Sequence, residues 1–300
     1  MKFILFVGHG SRDMAGNKEI LKFVQKTIDT NIYPNTEVCF LEFCDPDVTA
    51  GVENCISKGA THVYVIPIIL FPAGHSKIHI PAFIDAAKKR HPQVGFSYAR
   101  PIDVDTRLIN ILEDRLVAVQ PEIANETVKE ETAILIVGRG SSDPDANSTL
   151  SRIARLFWEK HRFLSVEIAF MGITEPTLEN GLERCRRLGA KNIIVLPYFL
   201  FTGILIERMK KMVAEYAEEQ KEIGVLMSDY MGFHPLLGDI ILHRISEVTE
   251  ESVNMNCDVC KYRVEADTGD VIHHYGNPQI HDHGHSHSHG HSHSHSHEHG

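Results

Sequence analysis

Apolar positions along the chain come in two alternating arrangements. Short uninterrupted runs, KFILFVG (2–8), EVCFLEF (37–43), HVYVIPI (62–68) and VGFSYA (94–99), are rich in β-branched and aromatic residues. Between them lie NKEILKFVQKTID (17–29), PDVTAGVENCISKG (46–59), IPAFIDAAKKR (80–90) and DTRLINILEDRLVAV (105–119), where apolar residues recur every three or four positions. The first kind predicts strands buried on both faces, the second helices with one apolar side. AILIVG (133–138), VEIAFM (166–171), NIIVLPY (192–198) and IGVLMSD (223–229) repeat the alternation in the second half, with matching helices between them. Regular alternation of strand and helix predicts an α/β fold of parallel sheets covered by helices on both faces.

The two halves are copies of one unit. Displaced by 130 positions, ILFVGHGSRD (4–13) falls on ILIVGRGSSD (134–143), and GVENCISKGATHVYVIPIILF (51–71) falls on GLERCRRLGAKNIIVLPYFLF (181–201) without a gap. Cys55 lands on Cys185, Gly59 on Gly189 and Pro67 on Pro197. A duplication of this length predicts two similar flavodoxin-like lobes facing each other, each with a parallel sheet of four or five strands. The boundaries expected are an N-terminal lobe over 1–125, a C-terminal lobe over 126–252 and a tail over 253–300.

Open parallel sheets bind ligands beyond the carboxyl ends of their strands, so the residues after each run are the ones to inspect. There the copies disagree. His9, Glu42 and His75 of the first half become Arg139, Gly172 and Leu205 in the second. A framework kept in both copies with reactive groups in only one predicts a single active site, in the N-terminal lobe. Alone, a histidine after a strand is more often a hydrogen-bonded loop residue, and Glu42 could equally serve a helix cap. Together, at the ends of neighbouring parallel strands, two imidazoles and a carboxylate form a site for Co, Ni, Fe or Zn. His79, four residues after His75, shares its helix face as a third ligand or an outer partner.

Gly8, Gly10 and Ser11 could cradle a phosphate at a helix N-terminus. GHGSRD is neither G-x-G-x-x-G nor a Walker pattern, however, so no nucleotide is expected. The turns offer instead backbone N–H groups and the side chains of Ser11, Arg12, Ser141 and Ser142, suited to an acidic small molecule held between the lobes. Arg139 in place of His9 fits this, because guanidinium pairs well with carboxylates.

FVGHGSRD, FLEF, PIILFPAGHSKIHIP, GRGSSDPDAN and LPYFLFTGIL, in this order, resemble the long-form sirohydrochlorin cobaltochelatases among the class II tetrapyrrole chelatases. The resemblance covers roughly residues 1–260. It implies a bilobal chelatase-type fold and ATP-independent insertion of Co2+ into sirohydrochlorin on the anaerobic cobalamin route, with His9 and His75 as the active-site histidines. Many relatives carry Asp where this chain has His79, which leaves the role of that position open. Whatever the ring, two inner N–H protons must leave and the macrocycle must bend before a divalent ion enters. Peripheral carboxylates held in a cleft let binding energy favour the bent conformer. His9 and His75 then present the metal to one ring face and a base takes the protons; Glu42 is the candidate, a histidine the alternative. Insertion of Fe2+ or Ni2+ is the nearest alternative reaction. A metal chaperone or storage protein without turnover is the alternative of another class.

Composition narrows the partners. The net charge is −10 with no basic stripe, which argues against nucleic acid. No apolar run reaches a membrane span and the N-terminus lacks a signal-peptide pattern, so a cytoplasmic protein is expected. Of six cysteines, only Cys257 and Cys260 form a close pair, the pattern of a reduced compartment.

Two features lie after the second copy. Met255, Cys257 and Cys260 match an M-x-C-x-x-C iron–sulfur motif of the long-form chelatases; a zinc half-site, a redox dithiol and an unoccupied pair are the other readings. Two thiolates per chain are too few for a usual cluster, so one would need other ligands or a homodimer. Beyond them ten histidines, His281, His283, His285, His287, His289, His291, His293, His295, His297 and His299, alternate with Gly, Ser, Asp and Glu. Their spacing differs from an uninterrupted expression tag and predicts a disordered store for Co2+ or Ni2+.

Overall fold

The computed structural model describes residues 1–29 and 31–250, with the backbone alone of His75. In the first half, strands β1 (Lys2–Gly8), β2 (Thr36–Phe40), β3 (His62–Ile68) and β4 (Gly95–Tyr98) alternate with helices α1 (Met14–Thr27), α2 (Val48–Ser57), α3 (Ile80–Arg90) and α4 (Thr106–Val119). A connection through the short helix α5 (Glu126–Glu130) leads to the second half. This contains strands β5 (Thr132–Gly138), β6 (Ser165–Phe170), β7 (Asn192–Pro197) and β8 (Gly224–Met227). Its helices are α6 (Pro144–His161), α7 (Leu178–Arg187), α8 (Ile204–Glu219) and α9 (Pro235–Thr249). Each sheet has four parallel strands, in the orders β2-β1-β3-β4 and β6-β5-β7-β8.

Burial on both faces explains the unbroken apolar runs. Along β1, Phe3, Leu5 and Val7 face an outer core under α2 and α3, whereas Ile4 and Phe6 face a central core. A corresponding outer core lies under α7 and α8. The central core is continuous from one lobe to the other and includes residues of α1, α4, α6 and α9. In it the last helix of each half crosses over: α4 packs on β7 and α6, and α9 packs on β3 and α1. Each sheet is thus covered on its inner face by its own first helix and the other lobe's last one. The exchange is reciprocal, the mark of two units related by an approximate two-fold axis.

Two elements depart from their predicted extents by three residues at one end. Strand β2 stops at Phe40, because Leu41 N donates to Gly8 O (3.0 Å) and Glu42 N to His9 O (3.2 Å), folding the chain over the end of β1. Phe43 then adopts φ of 62° and a cis Asp45–Pro46 peptide follows; its copy, Glu175–Pro176, is cis as well. Helix α1 starts at Met14 rather than Asn17, since Asp13 accepts from Ala15 N at 2.9 Å and caps it.

Candidate metal and ring site

In both sheets the strand order reverses direction between the first and third strands, so the connections after β1 and β3 leave a crevice at the carboxyl edge. His9 follows β1 there, Glu42 follows β2, and the turn His75–His79 follows β3. Gly10 permits the first two to meet. Its φ is +85°, and a Cβ on it would lie 1.8 Å from Glu42 O, so the 9–12 loop closes on Glu42 only because residue 10 has no side chain.

His9 is held from both ring nitrogens. Nδ1 lies 3.1 Å from Gly10 O and 3.3 Å from Glu42 Oε1, and Nε2 lies 2.7 Å from Arg139 Nη1. A guanidinium only donates, so Nε2 accepts and the proton of the neutral ring sits on Nδ1, facing Glu42 and the carbonyl. Burial, followed by the Arg139 charge, holds His9 below its ordinary pKa of 6.5, against the raising effect of Gly10. Burial likewise holds His79 below 6.5, and the opposing pull of Glu42 places these two within electrostatic reach of each other.

The turn bearing His75 and His79 is π-type, and it leads straight into α3. In the second copy the corresponding residues belong to the regular helix α8, so the wide turn occurs only where the histidines are, among the described residues. Lys77 within it donates at 2.9 Å to both Asp143 and Asp145 at the start of α6, tying the turn to the other lobe. A contact in the opposite sense, made by other residues, joins the loop before α8 to α1: Glu19 accepts from Thr202 N (2.9 Å) and Tyr230 OH (2.7 Å). Reading the turn for its histidines alone overlooks Lys77.

The structure brings some of the expected residues together. His9 and Glu42 come together, and His79 is near Glu42. The backbone of His75 is on the same rim, while its side chain lies outside the described residues. Among the described residues, no three His, Cys, Asp or Glu side chains stand close enough to hold an ion. Arg139 reaches His9 itself. Arg12 lies over the ring of Phe43 at 4.8 Å. Ser11 and Ser141 have a framework role: each Oγ accepts from the N–H of the following cap residue, Asp13 or Asp143, at 3.0 Å. Ser142 is exposed on the same rim. Cys257, Cys260 and the histidines from His281 to His299 fall outside the described residues.

The second lobe faces the crevice with apolar groups. At the positions of Phe43 and Gly74 it has Ile173 and Ile204, 86% and 61% exposed. Gly172 and Leu205 stand where the first lobe has Glu42 and His75, so both polar groups are absent from the second wall. The repeat offset alone marks Ile173 and Ile204, the copies of the positions one after Glu42 and one before His75.

Two duplicated α/β lobes with an imidazole, a carboxylate and a guanidinium at their junction define a two-lobed protein of the chelatase type. The chain belongs to the CbiX family, whose model matches residues 3–119 and 133–248. It is 50% identical to a sirohydrochlorin cobaltochelatase of Priestia megaterium over 88% of this chain and 85% of that protein. It is 34% identical to a sirohydrochlorin ferrochelatase of the same organism, over 87% of this chain and 96% of the other. Among solved structures it resembles SirB from Bacillus subtilis with Fe3+ (TM-score 0.70, 31% identity, 84% of this chain and 96% of that one). A SirB complex with cobalt from B. subtilis subspecies spizizenii is also similar (TM-score 0.67, 30% identity, 83% and 96%). Among the described residues no helix is long and apolar enough to cross a membrane.

Proposed function

We propose that this protein inserts Co2+ into sirohydrochlorin. The observation that carries the choice of metal is the pair of Priestia relatives: this chain is 50% identical to the cobalt enzyme and 34% to the iron enzyme of one organism. The observation that supports a metal-transfer reaction is His9 with its carboxylate partner at the mouth of the crevice. A carboxylate on one ring nitrogen fixes the tautomer and makes the other nitrogen the better ligand.

In this reading the ring lies between the lobes, one face against Ile173, Ile204 and Leu205 and the other toward His9 and His75. Arg12, Arg139 and Ser142 take its carboxylates. His9 and His75, assisted by His79, deliver the ion, and Glu42, the carboxylate partner of His9, is the proposed acceptor of an inner proton. The duplicated walls hold a bent ring, so binding energy is used where the macrocycle must distort. Cys257 and Cys260 are proposed as iron–sulfur ligands shared between two chains, and the histidines from His281 onward as a metal store. Anaerobic iron and sulfide analysis with a measured molar mass tests the first. Truncation after Ser252, lowering activity at scarce Co2+ but not at saturating Co2+, tests the second.

The deciding experiment is anaerobic absorbance of purified protein with sirohydrochlorin and Co2+, Fe2+ or Ni2+ in turn. Fastest insertion with Co2+, abolished in His9→Ala and His75→Ala, is the expected result. Glu42→Gln should lose about 10–100-fold, the usual cost of removing a histidine's outer partner. Faster turnover with Fe2+ would assign the protein to the iron reaction. Metal binding without insertion would make it a carrier.

A further inference from the structure

We propose that Arg139 masks the metal-binding nitrogen of His9 until the tetrapyrrole arrives, so that ring binding uncovers the metal ligand. The inference rests on the reading of His9 as a ligand and extends it to the order of events.

The argument starts from symmetry. His9 and Arg139 are the same position in the two copies, 130 residues apart, yet they touch at 2.7 Å. Equivalent residues of a two-fold pair meet only on the axis. The reciprocal packing of α4 and α9, and of the His75–His79 turn and the Thr202 loop, places that axis through the crevice. Replacement of an imidazole by a guanidinium in one copy therefore sets a fixed cation against the remaining imidazole at the centre of the site.

The contact uses the lone pair that a metal needs. Nδ1 carries the proton and faces Glu42 and Gly10 O, so the metal's route to His9 is through Nε2. Imidazole binds first-row ions at about 2.0–2.1 Å through that lone pair. An Arg Nη1 at 2.7 Å from Nε2 occupies the same volume and repels a divalent cation. Ring-free protein thus holds its ligand covered by a cationic guanidinium.

A tetrapyrrole with peripheral carboxylates removes it. Arg139 is exposed and extends from a loop. A carboxylate offers it two charge-assisted bonds in place of one to a neutral nitrogen. Once the guanidinium turns to the ring edge, it no longer covers Nε2. Arg139 is then a positioning residue: its chemistry is to make metal binding conditional on substrate. By linkage, bound Co2+ raises ring affinity by the same factor.

The test titrates the full-length protein with Co2+ in about 0.5 M KCl, which screens long-range charge. The site of interest is defined as the Co2+ absorbance lost in His9→Ala, which sets aside the tail histidines. The ring probe is an octacarboxylate porphyrin carrying palladium(II), which takes no axial ligand and leaves no vacancy, added until its own absorbance change saturates. Arg139→Gln without the probe should bind this Co2+ about tenfold tighter than the wild type. The probe should raise wild-type affinity about tenfold and that of the variant by less than roughly threefold. Equal or weaker Co2+ binding by Arg139→Gln, or the same probe effect in both proteins, would overturn the proposal. If His9→Ala removes no Co2+ at all, the reading of His9 as a ligand fails instead.

Discussion

At the scale of single residues, the site depends on a missing side chain as much as on those present. Gly10 combines a left-handed backbone with a carbonyl 1.8 Å from where its Cβ would be. Gly59 has a similar φ of +89° but only Met1 Sδ at 3.8 Å. The two separate backbone strain from collision. Gly59→Ala should cost about 1 kcal/mol in urea unfolding, the price of the φ alone. Gly10→Ala should cost more and should also lower insertion, because the 9–12 loop must move away from Glu42. Equal costs would show that the loop yields freely. His9 supplies a second prediction. Metal delivery needs the neutral ring, and burial with Arg139 keeps its pKa below 6.5. The acid limb of Co2+ binding to the ring-free protein should therefore fall below pH 6.5, and Arg139→Gln should move it upward by removing one of the two causes. A limb unmoved in the variant would contradict the assigned charge effect. The exchange of His9 for Arg139 was legible in the repeat, because residue identity is what a sequence records. Their contact was not, because it depends on where the axis falls.

At the scale of elements, the π-type turn is the departure that matters. Its residues are anchored at both sides: Lys77 N donates to Ala73 O (2.8 Å), and Lys77 Nζ reaches Asp143 and Asp145 across the crevice. Removing the cation should free the turn from the second lobe without disturbing either sheet. In Lys77→Met, amide exchange over residues 73–80 should quicken and the KM for Co2+ should rise severalfold, while ring binding followed by absorbance stays near wild type. Unchanged exchange would mean that the histidine turn is set by its own lobe. Strands and helices were legible because a chain buried on two faces writes unbroken apolar runs, and a chain buried on one writes a three-to-four period. The end of β2 was not. EVCFLEF continues the apolar pattern past Phe40, but the hydrogen bonds of Leu41 and Glu42 go to the end of β1 and its loop. Nor was the partner of α4 or α9, since an amphipathic helix declares that one face is buried but not against which sheet.

At the scale of the whole molecule, the exchange of α4 and α9 makes the two copies one folding unit. Arg244 of α9, 1% exposed, donates to Ile102 O (3.0 Å) and Pro101 O (3.3 Å) of the first lobe. Beside it Glu247 accepts from Arg100 Nε and Nη2 at 3.0 and 2.6 Å, and Asp105 accepts from Arg107 Nη2 at 2.7 Å. Burial would raise Glu247, but the Arg100 hydrogen bonds and the Arg244 charge outweigh it and hold the carboxyl below 4.5. Asp105 is held below 3.8 in the same way, chiefly by Arg107. Depressed carboxyl pKa values stabilise the fold above the unfolded-state values and lose that contribution as pH falls through the folded ones. The carboxyl contribution should therefore be flat near pH 6 and decline below about pH 4.5, whereas His9 and His79, held below 6.5, start to cost stability as pH falls through 6.5. Glu247→Gln leaves the buried Arg244 with Asp105, at 3.5 Å, as its carboxylate and should cost roughly 3 kcal/mol at neutral pH, with part of the acid sensitivity removed. Because α9 covers β3 and α4 covers β7, that loss cannot stay in one lobe. Thermal unfolding followed by amide exchange should show β1–β4 and β5–β8 opening together in the wild type and, at lower temperature, together in the variant. Separate opening of the first lobe in Glu247→Gln would show that the shared core does not couple them. If the lobes do open together, the spacing of His9 and Arg139 at their junction is fixed by the whole fold, and an exchange of contacts there can be a side-chain movement rather than a movement of lobes.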